Sequence, residues 1–422
     1  MLDRLRSLVP QGLRLPLLIG LPALALAGIV AIVASSDTEP PPAPRAAPVT
    51  TTTTTTTTST LPPPQLRFTF EGTDPELRSA VEMLYRWLDD PSLVQPIEVD
   101  AQFAARLADV DPTEDLLVEL SVTTSQFTGG QRVAVAVAGE DVLLAADEND
   151  GAGWRIVGGT LARFGAAPWF GDPIQSVLVI GSDARWNEDV FSQRADSIHI
   201  VTAVADQSAG AIVGIPRDSY MPNPNGSNRK VNGVLAGYGA EGVVETIQTY
   251  SGMEIDGYII TGFLGFSQLI EGFGPFEIFL PQAIRGGLPG FRNFPEGDSV
   301  IEGDDVLLLA RIRKTLPQGD FDRSFNHGVI MKAVLDNIQT RSIRQLPMLL
   351  GLLNATTHTD LSAAELLRLG AVAYYLDNDL VTNHVLPGRA GRAGEASVVF
   401  LSAGADELLA DLADDGLINS DQ

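Results

Sequence analysis

Ten charged side chains between residues 183 and 323 are of the types that hold phosphate: Asp183 and Arg185 in IGSDAR, Arg194 and Asp196 in QRADSI, Arg217 and Asp218 in IPRDSY, Arg311 and Arg313 in ARIRK, and Asp320 and Arg323 in GDFDR. Arginine forks match phosphate oxygens, and two carboxylates in one place suit a divalent cation that screens the remaining charge. Gathered together, these residues would make a pyrophosphate site. Each has a plainer reading alone. An Arg–Asp pair at a strand end is commonly a surface ion pair of little weight, a reading that fits Arg185 and Arg313 best. Asp183 and Asp196 also suit the turn after a strand, Asp322 suits a helix N-cap, and His199 reads as a strand residue.

Most of these residues follow or flank short apolar runs, VLVI, AIVGI and VLLLA, so strand ends can bring them together. From 172 to 422 such strands alternate with helical patterns, and the expected class is α/β, an α-β-α sandwich around a central mixed sheet. Residues 66–165 read as a small α+β module: a strand LRFTF, an amphipathic helix PELRSAVEMLYRWLDD, then RVAVAVA, DVLLAAD and WRIVGG. No catalytic spacing is recognisable there.

Residues 35–65 are rich in Pro and Thr, with unbroken threonine from Thr50 to Thr58, which predicts a disordered stalk. Before it, 15–34 is an uncharged apolar run long enough to span a bilayer. Arg4, Arg6 and Arg14 precede it and Asp37 and Glu39 follow. The expectation is a cytoplasmic N-terminus (1–14), one transmembrane helix and an extracytoplasmic body. A cleaved signal peptide is the competing reading, and either way the body is exported.

Net charge is −25 and the pI about 4.4. Such a surface repels polyanions, which argues against nucleic acid as a partner and makes a local arginine pocket more selective. Lysine occurs only at 230, 314 and 332, a bias that a high-GC genome also produces. The absence of cysteine excludes disulfides, thiol chemistry and thiolate metal sites.

In sequence order, IGSDAR, RADSIHIVTA, IPRDSY, RKVNGVLAGYG, GYIITGFLGFSQLIEGFG, ARIRK and GDFDR resemble the LytR-CpsA-Psr family of cell-envelope proteins over about residues 174–340. The resemblance implies a Mg-dependent phosphotransferase outside the cytoplasmic membrane. It would move an anionic glycopolymer from a polyprenyl-pyrophosphate carrier to peptidoglycan. An older family label, transcriptional attenuator, does not suit an exported acidic domain. By the same resemblance Asp183 and Asp196 hold the metal, and Arg194, Arg217, Arg311, Arg313 and Arg323 hold the pyrophosphate. Arg217, Arg311 and Arg323 stabilise the developing charge, and Asp320 is a candidate general base. Asp218 orients neighbouring arginines, and Lys230 and Asn232 match a KxN motif of structural or polar role. Phe263, Phe266 and Leu269 would contact the polyprenyl tail, with Tyr258 near them, although core packing explains most apolar helices.

The chain departs from the family where an arginine and a glutamine give way to Asn326 and His327. Both donate hydrogen bonds, and a protonated His327 would add charge beside the phosphates. Asp322 adds negative charge there unless it points away. The runner-up expectation is therefore a non-catalytic envelope protein that binds the lipid pyrophosphate or the wall polymer.

Overall fold

A computed structural model describes residues 66–71, 74–108, 110, 117–287 and 292–419. The expected membrane segment and stalk lie outside the described residues. Among the described residues no helix is long and apolar enough to cross a membrane. The chain from Pro63 onward forms one compact unit.

Its first half comprises β1 (Arg67–Glu71), α1 (Pro75–Asp89), α2 (Ala101–Leu107), β2 (Leu117–Gln126), β3 (Arg132–Ala138), β4 (Asp141–Asp147) and β5 (Arg155–Thr160). The strands form one sheet in sequence order, β1 parallel to β2 and the rest antiparallel. Helix α1 begins where the Asp74 carboxylate accepts from the Glu76 amide with Pro75 in the first turn. Its Leu77, Val81, Leu84 and Leu88 make one buried stripe.

The alternation in RVAVAVA sorts two interfaces, because successive strand side chains point to opposite faces. Ala134, Ala136 and Ala138 pack with α1 and α2, leaving room for Tyr85 and Phe103. Val133, Val135 and Val137 pack on the opposite side against Leu346, Leu350, Leu366 and Leu367 of the second half. With both faces covered, β4 is buried along its whole length.

The second half begins with β6 (Ile174–Ser182), β7 (Ala195–Val204), β8 (Ala209–Gly214), the hairpin β9 (Tyr220–Pro222) and β10 (Asn228–Lys230), α3 (Val234–Ser251), β11 (Gly257–Thr261) and α4 (Phe263–Phe273). Then come the hairpin β12 (Phe276–Leu280) and β13 (Gly297–Ile301), α5 (Asp304–Arg311), α6 (Asp320–Gln339), α7 (Leu346–Thr356), β14 (His358–Thr359), α8 (Ala363–Val372) and β15 (Val381–Val385). The hairpin β16 (Gly388–Ala393) and β17 (Ala396–Leu401) leads to α9 (Ala403–Asp415).

A six-stranded sheet runs β14-β11-β6-β7-β8-β15. It is mixed, as expected: β11 lies parallel to β6 and β15 parallel to β8, while β6, β7 and β8 are antiparallel. On one face Leu178, Ile180, Ile198, Ile200 and Val213 pack with Val243 and Ile247 of α3 and Leu409 and Leu412 of α9. Helix α6 lies on the other face, close against β8 and β15. A Cβ on Gly214 would overlap the Ser324 hydroxyl and one on Gly328 the Asn383 amide, so glycine at both positions permits that approach without moving those side chains.

The halves are also tied by polar contacts. The Glu148 carboxylate accepts from the amides of Ala363 at 3.1 Å and Ala364 at 2.8 Å, beside the Ser362–Glu365 capping box of α8. Arg368 donates to the Val157 carbonyl at 2.6 Å and to Asp100 at 3.0 Å.

Candidate functional site

The end of β6, the start of β7 and helices α4, α5 and α6 border a cavity of about 470 Å³. Asp183, Arg185, Asp196, Arg217, Arg311, Arg313, Arg323 and His327 all line it, with Phe263 and Phe266. Leu307, Ile330 and Met331 make the rest of the wall apolar. Arg194 lies elsewhere, in a neighbouring hollow that shares Arg217. Leu269 and Asp320 are not among the lining residues.

A β-bulge explains how Asp196 and its neighbour both reach the cavity. Gly181 pairs with Ser197, whereas Ser182 pairs with Ala195, so Asp196 is an extra residue on β7. In a regular strand, Asp196 and Ser197 would point to opposite faces. The bulge re-aims them, and both line the cavity.

Behind this wall the charges interlock. Asp196 Oδ1 accepts from Arg217 Nη1 at 2.5 Å, and the Asp196 carbonyl from Arg323 Nη2 at 2.8 Å. Asp320, 7 % exposed at the start of α6, accepts the Arg217 amide on Oδ2 at 3.1 Å. Its Oδ1 lies 2.6 Å from Arg323 Nη2, 3.6 Å from Arg313 Nε and 3.9 Å from Arg217 Nε. This corrects the expectation of a general base: a base must reach the proton it removes, and this carboxylate is enclosed by three arginines. Asp320 positions them. Asp218 lies 3.1 Å from Lys230 Nζ, 3.4 Å from the Asn232 amide and 3.7 Å from one arginine, Arg313.

The pairing is incomplete. The 2.6 Å contact of Arg323 with Asp320 is too poorly aligned to be a hydrogen bond. Arg217 Nε, Arg323 Nε and Asp320 Oδ1 are thus buried without a hydrogen-bond partner, a costly state for polar atoms. Burial opposes the charge of Arg217, but Asp196, Asp320 and Asp218 together hold its pKa above the usual value. Burial lowers the pKa of Arg323, where Asp320 and Asp196 raise it but Arg217 and Arg313 work against them. Arginine stays protonated even so, with the carboxylates of Asp320 and Asp196 beside it.

The two carboxylates fit the implied magnesium. Asp183 Oδ1 accepts the Arg194 amide at 2.9 Å, and its other oxygen is left available. Asp196 Oδ2 has only Arg323 Nη1, at 3.7 Å. Among the described residues no cluster of three or more His, Cys, Asp or Glu forms a closed cage. One or two carboxylates completed by substrate oxygens and water is the ligand set magnesium favours.

His327 departs from its expected role. Its Nε2 donates to the Ala310 carbonyl at 2.7 Å, and its Nδ1 faces the Ser197 hydroxyl at 2.9 Å. Burial first, then His199 and Arg323, lowers its pKa to about 3. It is therefore neutral, and neither nitrogen is left for a phosphate. Instead it ties β7 next to Asp196 to the last turn of α5, which carries Arg311. Ser197 was not singled out by sequence reasoning; its position beside Asp196 hides behind the bulge, which strand periodicity cannot reveal. His199, mid-strand as expected and fully buried, donates to the Ser324 carbonyl at 3.0 Å.

Asp322 is no N-cap either. It sits inside the first turn of α6 and accepts the Gln318 amide at 2.7 Å, which closes the preceding loop. The Arg311 guanidinium lies 4.8 Å over the Phe263 ring, so a cation stands where the apolar wall begins. Leu269 misses the cavity because it lies two further three-residue steps along α4 from Phe263, and each step turns the helix face by about 60°. Tyr258 is core, 5 % exposed.

The model of the LytR_cpsA_psr family matches residues 171–411. The chain is 27% identical over 246 residues to the cell wall biosynthesis protein LcpA of Corynebacterium glutamicum, covering 48% of this chain and 46% of the relative. It is 30% identical over 193 residues to the polyisoprenyl-teichoic acid–peptidoglycan teichoic acid transferase TagU of Halalkalibacterium halodurans, covering 45% of this chain and 62% of the relative. The chain thus spans about half the length of the curated relatives it matches. Among solved structures, B. subtilis TagV superposes with a TM-score of 0.51 at 22% identity, over 58% of this chain and 98% of that one; that likeness concerns the fold.

Proposed function

We propose, since this chain belongs to the LytR-CpsA-Psr family, that it is an extracytoplasmic phosphotransferase that moves an anionic glycopolymer from a polyprenyl-pyrophosphate carrier to peptidoglycan. The observation that carries this reading is the cavity itself: Arg217, Arg311, Arg313 and Arg323 meet Asp183 and Asp196 where an apolar wall begins. A lipid pyrophosphate has that same division between charged head and apolar tail.

In this reading Phe263 and Phe266 contact the polyprenyl chain, and Arg311, stacked on Phe263, marks the boundary between tail and head. Arg217, Arg313 and Arg323 contact phosphate oxygens, held in place from behind by Asp320 and Asp218. Asp183 and Asp196 would hold magnesium, which draws charge from the pyrophosphate when bound. The acceptor hydroxyl oxygen bonds to the glycan-side phosphorus, and the bond from that phosphorus to the bridging oxygen breaks. Polyprenyl phosphate leaves, the hydroxyl proton passes to solvent, and a phosphodiester remains on peptidoglycan. Phosphoryl transfer depends chiefly on positioning and charge stabilisation, which the arginines supply without Asp320 as a base. The segment before residue 66 would anchor this body to the membrane.

The test is polyprenyl phosphate release from a short-chain polyprenyl-pyrophosphate sugar by the full chain, with magnesium or with EDTA, in the presence of peptidoglycan. Release that requires the metal supports the transferase. The second reading, a non-catalytic binder, draws on His327, whose nitrogens are both occupied, and Asn326, which is 2 % exposed. Neither offers the charge that the family arginine would. Tight binding without turnover would select the binder.

A further inference from the structure

Arg217 borders a second hollow, of about 580 Å³, walled by the hairpins β9–β10 and β16–β17. Four cations line it, Arg194, Arg217, Arg229 and Lys230, against one carboxylate, Asp218. That ratio inverts the balance of the chain, which has 28 Lys and Arg against 53 Asp and Glu. Pairing sharpens the contrast. Lys230 is held by Asp218 and Arg217 by Asp196. Among the described residues no carboxylate lies within ion-pair distance of Arg194 or Arg229. Two exposed guanidiniums thus stand unpaired in one hollow of an acidic protein, where carboxylates are plentiful.

The walls fit a chain more than a single ion. Tyr220 lines the hollow and is braced edge-on by Phe400 at 5.8 Å between ring centroids. Ala393 and Ala396 leave the facing hairpin narrow, and a bridge between Ser219 and Val399 joins the two hairpins. An aromatic face beside guanidiniums suits alternating sugar and anionic groups. Arg217 lines both cavities, so a pyrophosphate held by Arg217 would lie beside the hollow.

We propose that this hollow binds the anionic groups, phosphate or carboxylate, that the glycopolymer carries beyond its pyrophosphate. The inference rests on the pyrophosphate reading above and gives the protein a means to select charged polymers over neutral ones. The contact is exposed and electrostatic, so it weakens with salt.

The test titrates the full chain with two probes, inorganic pyrophosphate and a short synthetic oligo(glycerol phosphate). Arg229→Ala is expected to weaken the oligomer about tenfold, the weight of one phosphate–guanidinium contact at a surface site, and to leave pyrophosphate affinity within about twofold. Arg229→Lys should restore most of the loss, and the gap between wild type and variant should close at high salt. Arg229 is exposed on a hairpin, so these variants keep the fold, and Arg229→Glu should weaken the oligomer further. Unchanged oligomer affinity in both Arg229→Ala and Arg229→Glu overturns the proposal. So does an equal loss of pyrophosphate, or displacement of the oligomer by a muropeptide, which would make the hollow the acceptor's. If pyrophosphate binding ignores Arg311→Ala while oligomer binding still needs Arg229, the pyrophosphate reading fails and the hollow stands.

Discussion

In the first half of the compact unit, β3 and β4 are sandwiched between α1 and α2 on one side and α7 and α8 on the other, with side chains from 0 to 9 % exposed apart from the first residue of β3. In the arginine cluster, by contrast, Arg323 and Asp320 are buried and Arg217 half-buried, with Arg217 Nε, Arg323 Nε and Asp320 Oδ1 left without a hydrogen-bond partner. One region is closed by apolar packing, and the other leaves buried polar atoms without partners. Apolar contact is additive and tolerant, so the module interface supplies stability. Interlocked charges are costly when unpaired, so the cluster gives up stability where the module interface supplies it.

The sharpest way to break this contrast is Arg217→Ala. Polyprenyl phosphate release should fall about 10²–10³-fold, the weight of one transition-state donor. The melting temperature should move much less than it does in a core variant. Leu144, 0 % exposed, supplies that reference. Leu144→Ala is expected to cost about 2–5 kcal/mol, read from the urea midpoint, in one transition that also reports the second half, because both halves share this core. Separate unfolding of residues 66–165 would show that the interface is not the stabilising element.

The two regions were also unequally legible in sequence. The Val/Ala alternation of RVAVAVA and the stripe of α1 carry their own periodicity, and a central sheet followed from strand runs joined by helices. Asp183, Asp196 and the arginines were found by residue type, and the structure brings most of them to one cavity. Roles that depend on a neighbour's geometry stayed hidden. The bulge at Asp196, the reach of Arg217 to Asp320 and the His327–Ala310 tie each involve contacts more than ten residues apart, and no local pattern encodes them. That both faces of β4 would be covered was equally invisible, since the covering helices lie some 200 residues further on.

The buried histidines give a pH test on the cluster side. Burial lowers the pKa of His199 to about 4 and that of His327 to about 3, from about 6.5 in the unfolded chain. Below pH 6.5 the unfolded state therefore binds more protons than the native one. The contribution of these histidines is fully present above pH 6.5 and is lost as pH falls towards 4 and then 3. The urea midpoint should drop over that range, and His199→Gln should flatten part of the drop relative to wild type. An unchanged slope would mean that His199 is not held neutral by its site.

The smallest expected effect tests the other side. Glu148, in the first half, accepts amide hydrogens from the first turn of α8, where a negative charge also complements the helix dipole. Glu148→Gln removes the charge and keeps one accepting oxygen, so it should cost about 0.5–1 kcal/mol. That is a shift of a few degrees at most in a domain of this size. An interface held by apolar contact loses little when its charged tie is weakened. If Glu148→Gln instead cost as much as Leu144→Ala, the halves would be joined by electrostatics, and the division of labour between the module interface and the arginine cluster would not hold.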